Sequence, residues 1–191
     1  MANGTTPAIL GLLTWAPMTG YELKNTLESS VSNFWSESFG QIYPELRRLA
    51  ESGLVTSESE GEETGKSRRR YAITETGRAV LRTWLAEPPK HRPPRNELLL
   101  KIFFARQDDL NEVINHVEET KKVYGNRLAI IRTKKEALEK KFQGHPALPF
   151  WLMTIRNGEL SYAATIAWCD EAIEELKHQQ ISVTASSART P

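Results

Sequence analysis

Ser38-Phe-Gly-Gln-Ile-Tyr-Pro-Glu-Leu-Arg-Arg-Leu-Ala-Glu-Ser-Gly-Leu-Val55, followed shortly by Lys66-Ser-Arg-Arg-Arg-Tyr-Ala-Ile-Thr-Glu-Thr-Gly77, carries the reading of the first half of the chain. Ser38 and Gln41 form a capping box, in which cap and third residue satisfy each other's orphan groups. Ile42, Leu46 and Leu49 follow at i, i+4 and i+7, one apolar helical stripe. Pro44 falls just past the first turn, so the helix is expected to start late or bend there. Gly53 stops it. Leu54-Val55 and Tyr71-Ala-Ile-Thr74 read as paired strands around a charged, Gly-bearing loop.

Working outward, Ile9, Leu12 and Leu13 share a face of an opening helix that Pro17 is expected to end. Thr19-Gly-Tyr-Glu22 is another capping box, and the helix it starts carries Leu23 and Leu27 inward, with Lys24 and Glu28 facing out. Thr74 is placed to cap a fourth helix with Val80, Leu81, Trp84 and Leu85 on its inner side. Helix, helix, helix, strand, strand, helix is the order of a winged helix-turn-helix. The fold class is therefore mainly α with a small β-wing.

Pro88-Pro-Lys-His-Arg-Pro-Pro94 cannot be helix interior and marks a stiff connector. The expected organisation is a winged helix-turn-helix over 1–88, a linker over 89–96, a helical dimerisation and effector domain over 97–178, and a disordered tail over 179–191. In the helical part, Glu97–Ala105 is strongly apolar. Asp108 is expected to cap a long helix to about Gln143, with Val113, Val117, Tyr124, Leu128, Ile131 and Leu138 near heptad spacing. A last helix from about Phe150 to His178 carries Trp151, Ile155, Tyr162, Ile166, Ile173 and Leu176. Such narrow seams hide little surface alone and call for a second copy of the chain.

Bulk properties narrow the class. Lys and Arg number 25 against 24 Asp and Glu, and residues 1–90 hold 10 against 11, so basicity comes from arrangement rather than sum. Glu58, Glu60, Glu62 and Glu63 lead up the hairpin, and Lys66, Arg68, Arg69 and Arg70 lead down it. No apolar run reaches the length of a membrane span, and the N-terminus lacks a secretion signal's features. Cys169 is the single cysteine, which fits a reducing, cytoplasmic setting. The histidines have no metal-ligand spacing, and no phosphate loop or nucleophile elbow is present, so neither catalytic nor metal-binding residues nor a cofactor is expected.

The surfaces left over suit a DNA duplex. Gln41, Tyr43, Arg47 and Arg48 are expected to point outward from the capped helix, whose N-terminal half would enter the major groove. Gln suits an adenine edge and Arg a guanine edge, while Ser38 and Tyr43 suit phosphates near the positive helix end. Lys66, Arg68, Arg69 and Arg70 would meet phosphates or a narrow minor groove from the wing, with Arg68 and Arg70 on one face and Arg69 on the other. Tyr21 and Lys24 would brace a phosphate from the supporting helix. A solvated helix face and an aggregation-blocking strand edge explain the same residues without DNA. Phe150 and Trp151 are the candidates for effector contact, although apolar faces of this kind more commonly serve core or dimer interface.

Ile9-Leu-Gly-Leu-Leu13, Thr19-Gly-Tyr-Glu-Leu23, Phe34-Trp35, Gly40-Gln-Ile-Tyr-Pro-Glu-Leu-Arg-Arg-Leu49, Gly53-Leu-Val55 and Arg69-Arg-Tyr-Ala-Ile-Thr-Glu-Thr-Gly77 together resemble the PadR family of bacterial transcriptional regulators, in its form with a long C-terminal helical domain. The resemblance implies a homodimeric DNA-binding protein joined through C-terminal helices, and twofold pairing then suits an inverted-repeat operator in double-stranded DNA. It implies repression relieved by a small hydrophobic or phenolic effector. The family's DNA-contacting positions would fall on Tyr21, Gln41, Tyr43, Arg47 and the wing from Lys66 to Arg70. The acidic stretch before the wing tip departs from the pattern. The rival reading is a winged-helix module that docks another protein without reading DNA.

Overall fold

Three helices close the first core. The structure is a computed structural model and describes residues 4–35, 38–60, 68–89 and 95–187. Helix α1 (Thr5–Leu13) buries Ile9, Leu10, Leu12 and Leu13. It ends at Leu13, short of Pro17, where Thr14 caps it by donating to the Gly11 carbonyl at 2.7 Å. Helix α2 (Gly20–Ser30) starts at the Thr19–Glu22 capping box and turns Leu23 and Leu27 inward. Helix α3 (Phe39–Glu51) sends Ile42, Leu46 and Leu49 into the same core with no exposed surface.

Both ends of α3 obey local rules. The helix begins before Pro44, which therefore lies inside it; lacking an N–H, Pro44 gives no helical bond to the Gly40 carbonyl. At the other end Gly53 takes φ +68°, and the amides of Gly53 and Leu54 bond the carbonyls of Ala50 and Leu49 at 3.1 and 2.9 Å. That is a Schellman closure, and it needs a residue free to adopt a left-handed backbone.

Strands β2 (Val55–Glu60) and β3 (Arg68–Ile73) pair antiparallel, and β1 (Met18–Thr19) adds to the other edge of β3, giving the order β1-β3-β2. β1 is a strand that the sequence did not announce. Its Thr19 lies opposite Arg70 while also capping α2. In the hairpin, Val55 faces Ile73, Ser57 faces Tyr71, Glu58 faces Arg70, Ser59 faces Arg69 and Glu60 faces Arg68. Val55 and Tyr71 belong to the core.

Helix α4 (Glu75–Ala86) is capped by Thr74, whose hydroxyl accepts from the Gly77 amide at 3.0 Å. Only part of its expected inner side is inward. Leu81 packs on the core, whereas Val80, Trp84 and Leu85 are exposed. The reason is the closeness of the helix start to the sheet: a Cβ on Gly77 would lie 2.2 Å from the Leu54 carbonyl oxygen. That contact turns the stripe of Gly77 and Leu81 inward and leaves the flanking positions to solvent.

The chain divides into two compact units, Met1–Arg92 and Pro93–Pro191, with the division inside the Pro-rich stretch. Of the expected linker, residues 90–94 lie outside the described residues. The second unit holds α5 (Glu97–Phe104), a 3-10 turn over Gln107–Asp109, α6 (Leu110–Lys141) and α7 (Leu148–Ser187). Asp109 rather than Asp108 precedes α6, and its carboxylate accepts from the Arg106 amide at 2.8 Å. α6 and α7 run antiparallel: Lys121 pairs with Asp170, Lys177 with Glu118 at 3.0 Å, and Gln180 donates to Asn111 at 2.6 Å. α7 continues past residue 179, where a tail was expected, to Ser187. Val113, Val117 and Cys169 form the second core, and burial pushes the Cys169 thiol pKa up.

Candidate nucleic-acid interface

α2 and α3 form the helix-turn-helix, and their outward residues define the candidate surface. With Ile42, Leu46 and Leu49 turned in, Tyr43 and Arg47 stand one turn apart on the exposed side of α3. Tyr43 is 47% exposed, yet its ring lies against α2: a Cβ on Gly20 would come within 2.6 Å of it. Tyr21, 61% exposed, follows on the first turn of α2. Tyr21, Tyr43 and Arg47 thus bring two aromatic hydroxyls and a guanidinium to the solvent side of the two helices. Lys24 is less available, since it pairs with Glu28 at 2.7 Å.

Gln41 is held by its own helix. Its side-chain carbonyl accepts from the Ser38 amide at 2.9 Å and the Ser38 hydroxyl at 3.0 Å. A bidentate grip on adenine needs that carbonyl oxygen, so Gln41 must release the cap to make one. Ser38 is likewise occupied in the cap.

The arginines separate by partner. Arg48 donates to Glu45 through Nη2 at 2.6 Å and Nε at 2.9 Å, and Nη2 also reaches Thr6 Oγ1 at 3.0 Å; Thr6 in turn donates to Glu45. The Arg48 hydrogen bonds, with help from Thr6, hold the Glu45 carboxyl below its usual pKa, and Glu45 raises that of Arg48. This joins α3 to the start of α1 and commits Arg48, expected to face outward for DNA, to partners within the protein. Arg70 donates to the Pro17 carbonyl at 2.8 Å and pairs with Glu22 at 3.2 Å. The Glu22 carboxyl is held below its usual pKa first by the Thr19 amide and also by Arg70. Arg69 is exposed, faces the neutral Ser59, and makes no ion pair among the described residues. Lys66 and the Arg68 side chain lie outside what the structure describes.

Sequence reasoning missed Glu22 as a partner for Arg70 and Gly20 as the bed of the Tyr43 ring. A glycine at the first position of a capped helix was the available signal, since a residue without a side chain there permits close approach. The Glu45–Arg48 spacing of i, i+3 was also visible.

In the second unit, Trp151 stacks on His145 with ring centroids 4.9 Å apart and meets Phe142 edge-on at 5.3 Å, whereas Phe150 is 66% exposed. The two expected effector contacts therefore lie in different surroundings. Two open grooves instead run along α5 and α6, past Leu100, Lys101, Phe104, Glu112, His116 and Tyr124. Among the described residues no helix is long and apolar enough to cross a membrane, and no three acidic, His or Cys side chains are grouped to hold a metal ion.

A capped helix-turn-helix backed by a three-stranded wing defines a class, and sequence comparison finds a family model for each part of the chain. Residues 9–83 match the Transcriptional regulator PadR-like family, and residues 94–177 match the Virulence activator alpha C-term family. The chain thus carries a PadR-like family domain followed by a virulence activator alpha C-terminal domain. It is similar to the Negative transcriptional regulator PadR of Bacillus subtilis, 33% identical over 101 residues, a stretch covering 51% of this chain and 54% of that protein. That match spans only about half the relative's length. Probable transcriptional regulator Rv1176c of Mycobacterium tuberculosis is 26% identical over 187 residues, covering 91% of this chain and 97% of its own. The crystal structure of Bacillus subtilis PadR with operator DNA has the same fold, with a TM-score of 0.81 at 22% identity over 92% of this chain and 99% of that one. PadR has also been solved with p-coumaric acid; that structure gives a TM-score of 0.58 at 21% identity, over 90% of this chain and 98% of that one.

Proposed function

We propose that this protein is a homodimeric repressor that binds an inverted-repeat operator through α3 and the wing, and that a small hydrophobic or phenolic molecule releases it. The observation that carries the reading is the shared exposure of Tyr43 and Arg47 on the outward side of α3, beside Tyr21. α3 supplies its N-terminal half to the major groove, where Arg47 offers a bidentate fork to guanine and Tyr43 and Tyr21 offer hydroxyls to phosphates. Arg69 adds a cation from the wing.

Pairing of subunits is favoured by apolar surface in the second unit. On α5, Phe103 and Phe104 are 80% and 70% exposed, with Leu99 and Leu100 beside them. A second copy covers such a face economically, and twofold symmetry then presents two α3 helices to successive major grooves. The relative solved with p-coumaric acid supports the effector half of the reading. An effector acts by binding one arrangement of the dimer more tightly than the other. Phe150 and Trp151 remain its proposed contacts.

Selection of bound duplexes from a random pool, followed by titration at two salt concentrations, tests this. An enriched inverted repeat whose affinity falls steeply with salt is expected. Retention of no sequence, or binding indifferent to salt, would favour the protein-docking alternative. Sedimentation of the free protein at micromolar concentration checks the dimer.

A further inference from the structure

We propose that Arg70 is a positioning residue: it latches the wing to the N-terminus of α2 and acts on DNA through the wing's placement, not by touching a phosphate. The inference rests on the DNA-binding reading above and refines its list of contacts.

The geometry is specific. Arg70 lies on β3 directly opposite Thr19 of β1, and Thr19 is also the cap of α2. From there its guanidinium spans two elements, giving Nη1 to the Pro17 carbonyl at 2.8 Å and facing both oxygens of Glu22, at 3.2 Å from Nη1 and 3.4 Å from Nη2. Glu22 in turn accepts the Thr19 amide at 2.7 Å and so closes the capping box. One carboxylate thereby serves the start of α2 and the wing strand together. Across the hairpin Arg70 faces another carboxylate, Glu58. A guanidinium bonded to an acid and a backbone carbonyl, with a second acid opposite it in the hairpin register, would forfeit bonds already made on moving to a phosphate.

The consequence is mechanical. The Tyr43 ring of α3 lies against Gly20, next to this cap. The latch therefore ties the wing to the place where α2 supports α3, so the two DNA-facing parts keep a fixed separation. Arg69, on the opposite face of β3, is left to meet the duplex.

Glu22→Gln gives the decisive contrast, because glutamine still serves a capping box while losing the charge that Arg70 needs. If Arg70 is the latch, Glu22→Gln and Arg70→Gln each weaken operator binding by about threefold to tenfold. The double variant is no worse than either single one, as coupled partners require. The salt slope stays that of wild type in all three, whereas Arg69→Ala lowers it. In the free protein, amide exchange at Thr19 and Tyr71 quickens by at least about fivefold in both single variants, while α6 and α7 are unchanged. Tighter DNA binding by Glu22→Gln, or a slope lost by Arg70→Gln as by Arg69→Ala, overturns the assignment. Unchanged exchange in both variants overturns it too. A wild type that binds no DNA would instead defeat the DNA reading, and exchange would still decide whether the latch holds the wing.

Discussion

Removal of the Arg69 guanidinium should be read in the salt dependence of binding rather than in affinity at one condition. Arg47 and Arg69 are the exposed cations of α3 and β3 that carry no ion pair among the described residues. With Arg47 given to a guanine edge, Arg69 is set against a phosphate, one per protomer and two in a dimer. Each neutralised phosphate contributes about −0.9 to the slope of log affinity against log salt, so the two Arg69 side chains account for roughly −1.8. Between about 50 and 200 mM salt that share of the slope is worth about 12-fold in affinity. Arg69→Ala in both protomers should flatten the slope by about 1.8 and shrink the loss over the same range by about 12-fold. Mobility-shift or anisotropy titrations at four salt concentrations measure both slopes. The side chain is exposed, so the variant should melt within about 0.5 kcal/mol of wild type. A variant slope equal to that of wild type would refute the placement of Arg69 at the duplex.

Other outcomes follow from the same geometry. Gly20→Ala sets a methyl into the Tyr43 ring and should displace it, weakening operator binding several-fold with little change in melting temperature; tyrosine ring shifts in NMR spectra check the displacement. Leu46→Ala empties a fully buried site and should cost about 2–5 kcal/mol in urea unfolding. The folded pKa of Glu45 lies below its ordinary 4.5, so its share of stability is present above that value and is lost as pH falls through the depressed one. Glu45→Gln should therefore flatten the stability profile below about pH 4.5, by no more than about 1 kcal/mol given the exposure of Arg48. Gln41→Ala removes the acceptor that holds Ser38 and should loosen the start of α3 by about 0.5 kcal/mol in urea unfolding.

Local signals made most of the first domain legible. Two capping boxes, the Ile42–Leu46–Leu49 stripe and Gly53 each depend on residues within one or two turns, and each appears where expected. The contacts that decide which arginines are available do not work at that range. Arg70 meets Glu22 across 48 positions, and Arg48 meets Thr6 across 42. β1 was hidden because two residues show no periodicity, and Thr19 already had a reading as a cap. The face of α4 was misjudged because its rotation follows from the contact between Gly77 and the Leu54 carbonyl, which no helical pattern encodes. α7 runs past its expected end, and Gln180 on Asn111 ties it there to the start of α6. In the candidate site, Tyr21, Tyr43 and Arg47 were readable as residues left over from buried stripes. The engagement of Gln41 by Ser38 follows from a rotamer that composition cannot choose.

The hairpin register has a last bearing on how this surface can evolve. Alignment of Val55 with Ile73, anchored by burial at the base, puts glutamates across from Arg68 and Arg70 and serine across from Arg69. Sliding one strand by a single residue would bring an acid opposite Arg69 and uncover its neighbours, inverting the electrical polarity of the tip without altering composition. Oily side chains far from any duplex thus decide which positive charge a duplex would feel, and a drifting lineage could rewire its wing by shifting that anchor while every charged residue stayed the same.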